Sequence, residues 1–392
     1  LWNQFLRYDP DDPQWPNRDR FVLSAGHASM LLYSLLHLAG YKLTMEDIQN
    51  FRQWKSLTPG HPEYGSTPGV ECTTGPLGSG FSNAAGMALG AKMMGARFNS
   101  SKDTLIDSRI FVLCSDGDMQ EGIASETASL AGHLGLGNLI ALYDSNDITI
   151  AGDAGLAMSE DVGRRFEAYG WHVQHCDGHN HDKIAVCLEE ALRVPMKPSL
   201  IVAKTIIGKG APTKEGTAGS HGAPLGADEI RSAKQALGWE EKPDFYVPDE
   251  VREVFEERKK NLKLQHQEWE KRLTNWKKSN PELAELWDSH WDKKLPDNLL
   301  NQLIETIDGE EDATRNLSGK VIQKMAELIP SLVGGSADLE PSNKTLIKSA
   351  ESIRPASSDS NSIPDPSFSG RNIHFGIREH AMGGITNGLA LY

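Results

Sequence analysis

The sequence predicts an α/β protein: a parallel sheet with helices on both faces, followed by the start of a second α/β domain. Three observations carry this expectation. Residues from about 20 to 240 alternate apolar runs with stretches of helical spacing, the pattern of strands joined by crossover helices. The runs Ile110-Phe111-Val112-Leu113 and Leu139-Ile140-Ala141-Leu142-Tyr143 read as two of those strands. And 392 residues exceed one ordinary hydrophobic core, so two domains are expected.

Taken in order, the chain begins Leu1-Trp2-Asn3-Gln4-Phe5, without methionine and in helical spacing. Ser79 to Phe98 carries Ala84, Ala88, Ala91 and Met94 at helical intervals with Gly86, Gly90 and Gly95, so it reads as a helix packed closely against another backbone. Ser199-Leu200-Ile201-Val202-Ala203 is a further buried strand. From Asp249 to Trp291 the composition turns to Glu, Lys, Arg and Trp, which reads as long helices with a solvated charged face. Their tryptophans, with Trp239, are expected to anchor packing or an interface. A second domain opens near Ala313, with a helix from Arg315 to Ile329 and a strand Ser331-Leu332-Val333-Gly334-Gly335 entering a glycine turn. Ser357 to Ser369 reads as a flexible surface insertion, Ile373-His374-Phe375 as a strand and Glu379 to Leu391 as the start of a helix. The chain stops inside that helix at Tyr392, so both ends read as cut.

Composition narrows the function. A hydrophobic share of 39% with 37 glycines and 20 prolines fits a globular α/β protein. Forty basic against 54 acidic residues leave a net charge of −14, which argues against nucleic acid or an anionic membrane as the main partner. Cys72, Cys114, Cys176 and Cys187 form no CxxC pair or zinc-like spacing and read as reduced thiols of a cytoplasmic protein. No apolar run is long enough to span a bilayer, and no signal peptide is recognised.

The strongest chemical signal is Asp116-Gly117-Asp118-Met119-Gln120-Glu121-Gly122 directly after one strand, with Asn146 directly after the next. A carboxylate, an amide oxygen and the backbone carbonyl of Ile148 could form one face of a hard cation's shell, leaving positions for two diphosphate oxygens and a water. Gly117 lets backbone approach phosphate, and a helix starting near Gly122 would aim its amides at the anion. An Asp-Gly turn after a strand, or an Asn in a loop, is weak alone; the two strands, the spacing and the glycines together point to a metal-held diphosphate.

Longer blocks then resemble the transketolase family. Arg18-Asp19-Arg20-Phe21-Val22-Leu23-Ser24-Ala25-Gly26-His27-Ala28-Ser29-Met30 is similar to its signature near the N-terminus. Gly60-His61-Pro62-Glu63, Thr73-Thr74-Gly75-Pro76-Leu77-Gly78-Ser79-Gly80, Gly334-Gly335-Ser336-Ala337-Asp338-Leu339 and Gly376-Ile377-Arg378-Glu379-His380 follow in family order. The resemblance covers roughly the first three-fifths of a family member, less a short N-terminal piece. It divides the chain into a diphosphate-binding domain (1–240), a charged helical linker (241–312) and the start of a pyrimidine-binding domain (313–392).

The resemblance implies thiamine diphosphate with Mg2+, or Ca2+ or Mn2+ in its place, held by Asp116, Asn146 and Ile148. It assigns Gly75, Pro76, Leu77, Gly117 and His221 to the cofactor, with Leu77 supporting its bent shape and Asp338 near it across a dimer interface. His27, His61 and His221 would face the reacting carbons, and Arg315 and Ser336 the sugar phosphate. Glu379 would hydrogen-bond the aminopyrimidine, for which burial should keep it protonated, and Glu121 would link to Glu379 or its counterpart in the other subunit. Two positions depart from the family pattern: Ser115 replaces glycine before the metal aspartate, and Asp147 replaces glycine after the metal asparagine. An inward Asp147 would place charge beside the diphosphate; an outward one would not. The implied activity is transfer of a two-carbon ketol unit from a ketose phosphate to an aldose phosphate, within the pentose phosphate pathway, by a homodimer with active sites at the subunit interface. The rivals are a dihydroxyacetone synthase-like transfer and a partial, non-catalytic chain that binds cofactor or needs a companion.

Overall fold

The computed structural model describes residues 1–293, 295–356 and 365–392, and these form two compact units. The first comprises Leu1–Ala88, Ser108–His266 and Gly384–Tyr392; the second comprises Leu89–Asp107 and Gln267–Gly383.

The first unit is built on strands β1 (Arg20–Leu23), β2 (Ile110–Ser115), β3 (Leu139–Ser145), β6 (His172–Asp177) and β7 (Ser199–Lys204), paired in the order β1-β2-β3-β7-β6. Two short strands, β4 (Ile148–Thr149) and β5 (Gly152–Asp153), pair as a separate hairpin. Every pairing in the main sheet is parallel: Phe21 lies beside Phe111, Phe111 beside Ile140, and Ser199 between Ile140 and His172. Parallel neighbours require crossovers, which helices supply. They are α1 (Ser29–Leu38), α2 (Met45–Gln49) and α3 (Ser79–Phe98) between β1 and β2, α4 (Asp116–Gln120) and α5 (Gly122–Leu134) between β2 and β3, α6 (Val162–Ala168) before β6 and α7 (His181–Leu192) between β6 and β7; α8 (Ala227–Ala236) and α9 (Asp249–Ser279) follow the last strand, and α3 and α9 each continue into the second unit. The sheet's apolar residues are nearly all buried, Ile110, Val112 and Leu139 completely. Leu1–Phe5, in helical spacing by sequence, instead forms turns in which the Phe5 and Leu6 amides both donate to the Leu1 carbonyl. Trp2 drives this, because its ring packs into a cluster with Tyr8, Phe21 and Tyr41.

The second unit contains α10 (Pro281–Trp291), α11 (Leu299–Glu305), α12 (Thr314–Leu328), β8 (Gly334–Ser336), α13 (Glu340–Asn343) and β9 (Asn372–His374). Its core is aromatic: Phe98 meets Trp276, Trp287 and His290 edge-on, and Trp269, Trp276 and Trp287 are buried. Trp239, in the first unit, is 46% exposed. His290 takes a hydrogen bond from the Arg97 guanidinium on Nε2 (2.6 Å), while its Nδ1 faces the Leu286 carbonyl at 2.8 Å. Arg371 donates to the carbonyls of Ala326, Ile329 and Leu332, stopping α12.

The strand expected over Ser331–Gly335 is shorter and later. β8 includes both glycines, because the parallel register pairs Gly334 with Asn372 and Gly335 with Ile373. Of the expected insertion, 357–364 lies outside the described residues. Pro366–Phe368 forms a 3-10 turn whose Phe368 is buried, so this part is anchored rather than a loose surface loop.

Helix α14 (Glu379–Leu391) closes the chain, and its part from Gly384 onward belongs to the first unit. There it crosses α3 at backbone contact. A Cβ on Gly86 would lie 2.2 Å from the Ile385 carbonyl oxygen, and one on Gly388 would lie 2.0 Å from that of Asn83. The close helix contact expected from the glycines of α3 is this crossing.

Candidate functional site

In a parallel sheet all C-terminal strand ends lie along one edge, where loops gather functional groups. Here that edge opens into a cleft of about 880 Å³ within the first unit. His27 comes from the turn after β1, Gly117 from the first turn of α4 after β2, Asn146 and Ile148 from the segment after β3, and His221 from the long segment after β7. His61, Gly75 and Leu77 line the same cleft from the irregular stretch between α2 and α3, so His61 does not follow a strand. The helix expected near Gly122 is present as α5, and a second, short helix start meets the cleft before it. It is α4, beginning at Asp116 and capped by Ser115, ahead of α5 at Gly122.

Asp116 and Asn146 are joined directly. One Asp116 carboxylate oxygen accepts the backbone amides of Asn146 and Asp147, both at 3.1 Å, and the other accepts the Tyr143 hydroxyl at 2.6 Å. A carboxylate offers about four lone-pair positions, so three internal bonds leave room for a cation on a side chain already fixed in direction. Asn146 is fixed likewise: its Oδ1 accepts the Ile148 amide (3.0 Å) and its Nδ2 donates to Asp144 (3.0 Å). Burial pushes the Asp116 carboxyl above its ordinary range against the hydrogen bonds it accepts, and the Asp147 charge adds to that push. A bound cation would relieve it.

Asp147 points outward. Its φ of 62° is the left-handed conformation glycine adopts freely and aspartate tolerates, and its exposed carboxylate pairs with Lys204. At Gly117 a Cβ would come within 2.7 Å of Leu77 Cδ1, so any larger residue would displace that side chain in the cleft wall.

The three histidines form one face. The rings of His27 and His221 stack with centroids 4.9 Å apart. Burial holds His27 below its ordinary pKa, and the neighbouring His221 adds to this, so His27 is neutral at physiological pH and able to accept a proton. Nδ1 of His221 is buried without a hydrogen-bond partner among the described residues. A buried polar atom left in this state inside a cleft is a place for a ligand atom.

The remaining expected residues are differently placed. Glu121 and Pro76 are exposed, Glu121 on the cleft wall. In the second unit Glu379, Asp338 and Arg315 are all exposed, so the burial expected at Glu379 is not found among the described residues. Ser336 is buried at the end of β8, with Oγ accepting the Leu339 amide and the Asn343 side chain.

Sequence reasoning missed Arg52 on the cleft wall and Tyr143 behind Asp116. Tyr143 read as one more apolar strand residue. Arg52 has a positive φ that no sequence pattern discloses. Among the described residues no three acidic, histidine or cysteine side chains gather as a metal cluster, so a cation here depends on the mixed carboxylate, amide and carbonyl set. All four cysteines are free, and no helix of the described residues is long and apolar enough to cross a membrane.

Residues 1–296 match the family described as transketolase, thiamine diphosphate binding domain, and residues 310–392 match transketolase, pyrimidine binding domain. The transketolase of Geobacillus stearothermophilus is 50% identical over 394 residues, covering 100% of this chain and 58% of the relative. That of Halalkalibacterium halodurans is 48% identical, with 100% and 57% covered. Among solved structures, a transketolase from Pichia stipitis in complex with sedoheptulose 7-phosphate superimposes with a TM-score of 0.93 at 44% identity, over 98% of this chain and 57% of that one. The chain thus spans less than two thirds of the length of its relatives.

Proposed function

The chain belongs to the transketolase family, and from that premise we propose that the complete protein transfers a two-carbon ketol unit from a ketose phosphate to an aldose phosphate. The observation that carries this reading is one cleft receiving His27, His61, Gly75, Leu77, Gly117, Asn146, Ile148 and His221, with Asp116 fixed behind it. Residues 1–240 serve as the diphosphate-binding domain, 241–312 as the linker and 313–392 as the start of the pyrimidine-binding domain.

The residues fit the cofactor on two counts: the lone-pair arithmetic at Asp116 and the unpartnered Nδ1 of His221. Asp116, Asn146 and the Ile148 carbonyl hold Mg2+, or Ca2+ or Mn2+ in its place. Gly75, Pro76, Leu77 and Gly117 shape the surface against which thiamine diphosphate lies, with Glu121 and Asp338 at its margins. Bound there, the cofactor supplies the nucleophilic carbon that carries the two-carbon unit. His27, His61 and His221 accept and return protons at the sugar hydroxyls, a role that suits the neutral His27 ring. Arg315 offers a planar fork to the sugar phosphate and Ser336 a hydroxyl. Glu379 holds a proton at the aminopyrimidine once a partner surface covers it.

A homodimer with its active sites at the subunit interface accounts for the exposed residues. Ile150 and Leu156 line the cleft yet are each 80% exposed, an apolar rim suited to a second subunit. The free thiols suit a reducing cytoplasm. The test is direct: incubate the complete protein with thiamine diphosphate, Mg2+, a ketose phosphate and an aldose phosphate, and analyse the sugars by mass. An acceptor lengthened by two carbons is expected; unchanged sugars overturn the proposal.

A further inference from the structure

One carboxylate assigned no role above ties together three of the loops that form the cleft. Asp118 is fully buried. Its Oδ1 accepts the Ser24 hydroxyl at 2.6 Å and the Gly78 amide at 2.7 Å. Its Oδ2 accepts the Ser115 amide at 2.8 Å and the Ser115 hydroxyl at 2.9 Å. Ser24 Oγ in turn accepts the Phe81 amide at 3.0 Å, which links the first turn of α3 to the same knot.

Each partner belongs to a segment already placed at the cleft. Ser24 begins the turn that carries His27, Gly78 ends the loop of Gly75, Pro76 and Leu77, and Ser115 precedes Asp116 and Gly117. An ionised carboxylate has no donors of its own, so it can receive four converging donors at once. An asparagine would turn its amide group toward donors and repel two of them. The reciprocal bonds between Ser115 and Asp118 also form the cap of α4, which accounts for serine at a position where the family pattern has glycine.

We propose that Asp118 is the positioning residue of this site: it sets the spacing between the His27 turn, the Gly75–Leu77 loop and the Asp116 metal turn, and so determines cofactor affinity without touching cofactor. The proposal rests on the thiamine diphosphate reading and is tested separately from it. Groups that orient the ligands of a site typically change affinity by roughly 10–100-fold when removed.

The experiment is calorimetric titration of the complete protein with thiamine diphosphate in saturating Mg2+, for the wild type, Asp118→Asn, Ser115→Ala and the double variant. Hydrogen exchange of 24–28 and 75–81 is followed in the cofactor-free proteins. Asp118→Asn should weaken the cofactor by roughly 10–100-fold and speed exchange in both segments. Ser115→Ala should weaken it less, and add little in the Asp118→Asn background because the two act through one knot. A folded Asp118→Asn protein with wild-type affinity, or one that loses thermal stability alone, overturns the proposal. If Asp118→Asn does not fold, Ser115→Ala decides: unchanged affinity and exchange also overturn it. A wild type that fails to bind the cofactor overturns the functional reading instead.

Discussion

The two units present their candidate residues in opposite ways. In the first, nine of the expected residues line one cleft, and those that would hold the metal are restrained by bonds within the chain: Asp116 by Tyr143 and two amides, Asn146 by Asp144 and Ile148. In the second, Glu379, Asp338 and Arg315 are exposed, and only Ser336 is buried. The difference teaches that pre-organisation is unevenly distributed. The residues proposed to hold the metal and the diphosphate are fixed by bonds within one chain, whereas most of those proposed to act on the ring and the sugar phosphate are exposed.

The largest effect should come from breaking the restrained side. Asp116→Ala removes the carboxylate proposed to hold the metal and strands three donors, so thiamine diphosphate binding in Mg2+ should fall by more than roughly 100-fold. Stability should also drop, by about 1–3 kcal/mol for a buried group left unsatisfied. Calorimetry and chemical denaturation read the two quantities, and wild-type affinity would remove this site from the reading.

On the exposed side, binding and chemistry should separate. Glu379→Ala leaves cofactor affinity within a few-fold, yet it should slow hydrogen–deuterium exchange at the thiazolium C2 of bound cofactor by roughly 100-fold or more, the range of general acid–base assistance. Stability should move by no more than about 0.5 kcal/mol, as for surface substitutions generally. Exchange at the wild-type rate would contradict the role given to Glu379.

The smallest effect is a pH dependence that the second unit should show through His290. Burial, with Arg97 and Arg371 nearby, holds its pKa below the ordinary histidine value, against the pull of the Leu286 carbonyl. The unfolded chain therefore takes up the proton first. This contribution to stability is complete above pH about 6.5 and declines as the pH falls from there toward the folded-state pKa. Thermal melting between pH 7.5 and 5.5 should show a decline that His290→Gln makes shallower; identical profiles would exclude His290 as its source.

Much of the first unit was legible because its signals are local. Strands β2, β3 and β7 are marked by apolar runs, α3 by small residues at helical spacing, and the turn that follows β2 by Asp116-Gly117 at a strand end. Asp118 stands two residues from Asp116 in the same acidic turn, and nothing in sequence tells which carboxylate binds the Asn146 turn and which binds Ser24 and Gly78. Ser115 and Asp147 became intelligible only in three dimensions, one as a helix cap and the other as a left-handed residue whose charge goes to Lys204. That exposed pair is worth no more than about 1 kcal/mol, so its importance lies in direction rather than strength. The exposure of Glu379 was equally hidden, since a helix-start glutamate reads the same whether covered or bare.

The crossing of α3 and α14 carries a consequence for how this lineage can change. Neither Gly86 nor Gly388 can acquire a methyl group while the other backbone stays in place. Substitution at either position would pry apart two helices rather than fill a gap, and no single compensating replacement restores the fit. These glycines are therefore frozen together: drift can reshape the charged exterior freely, but the path through this crossing admits no first step.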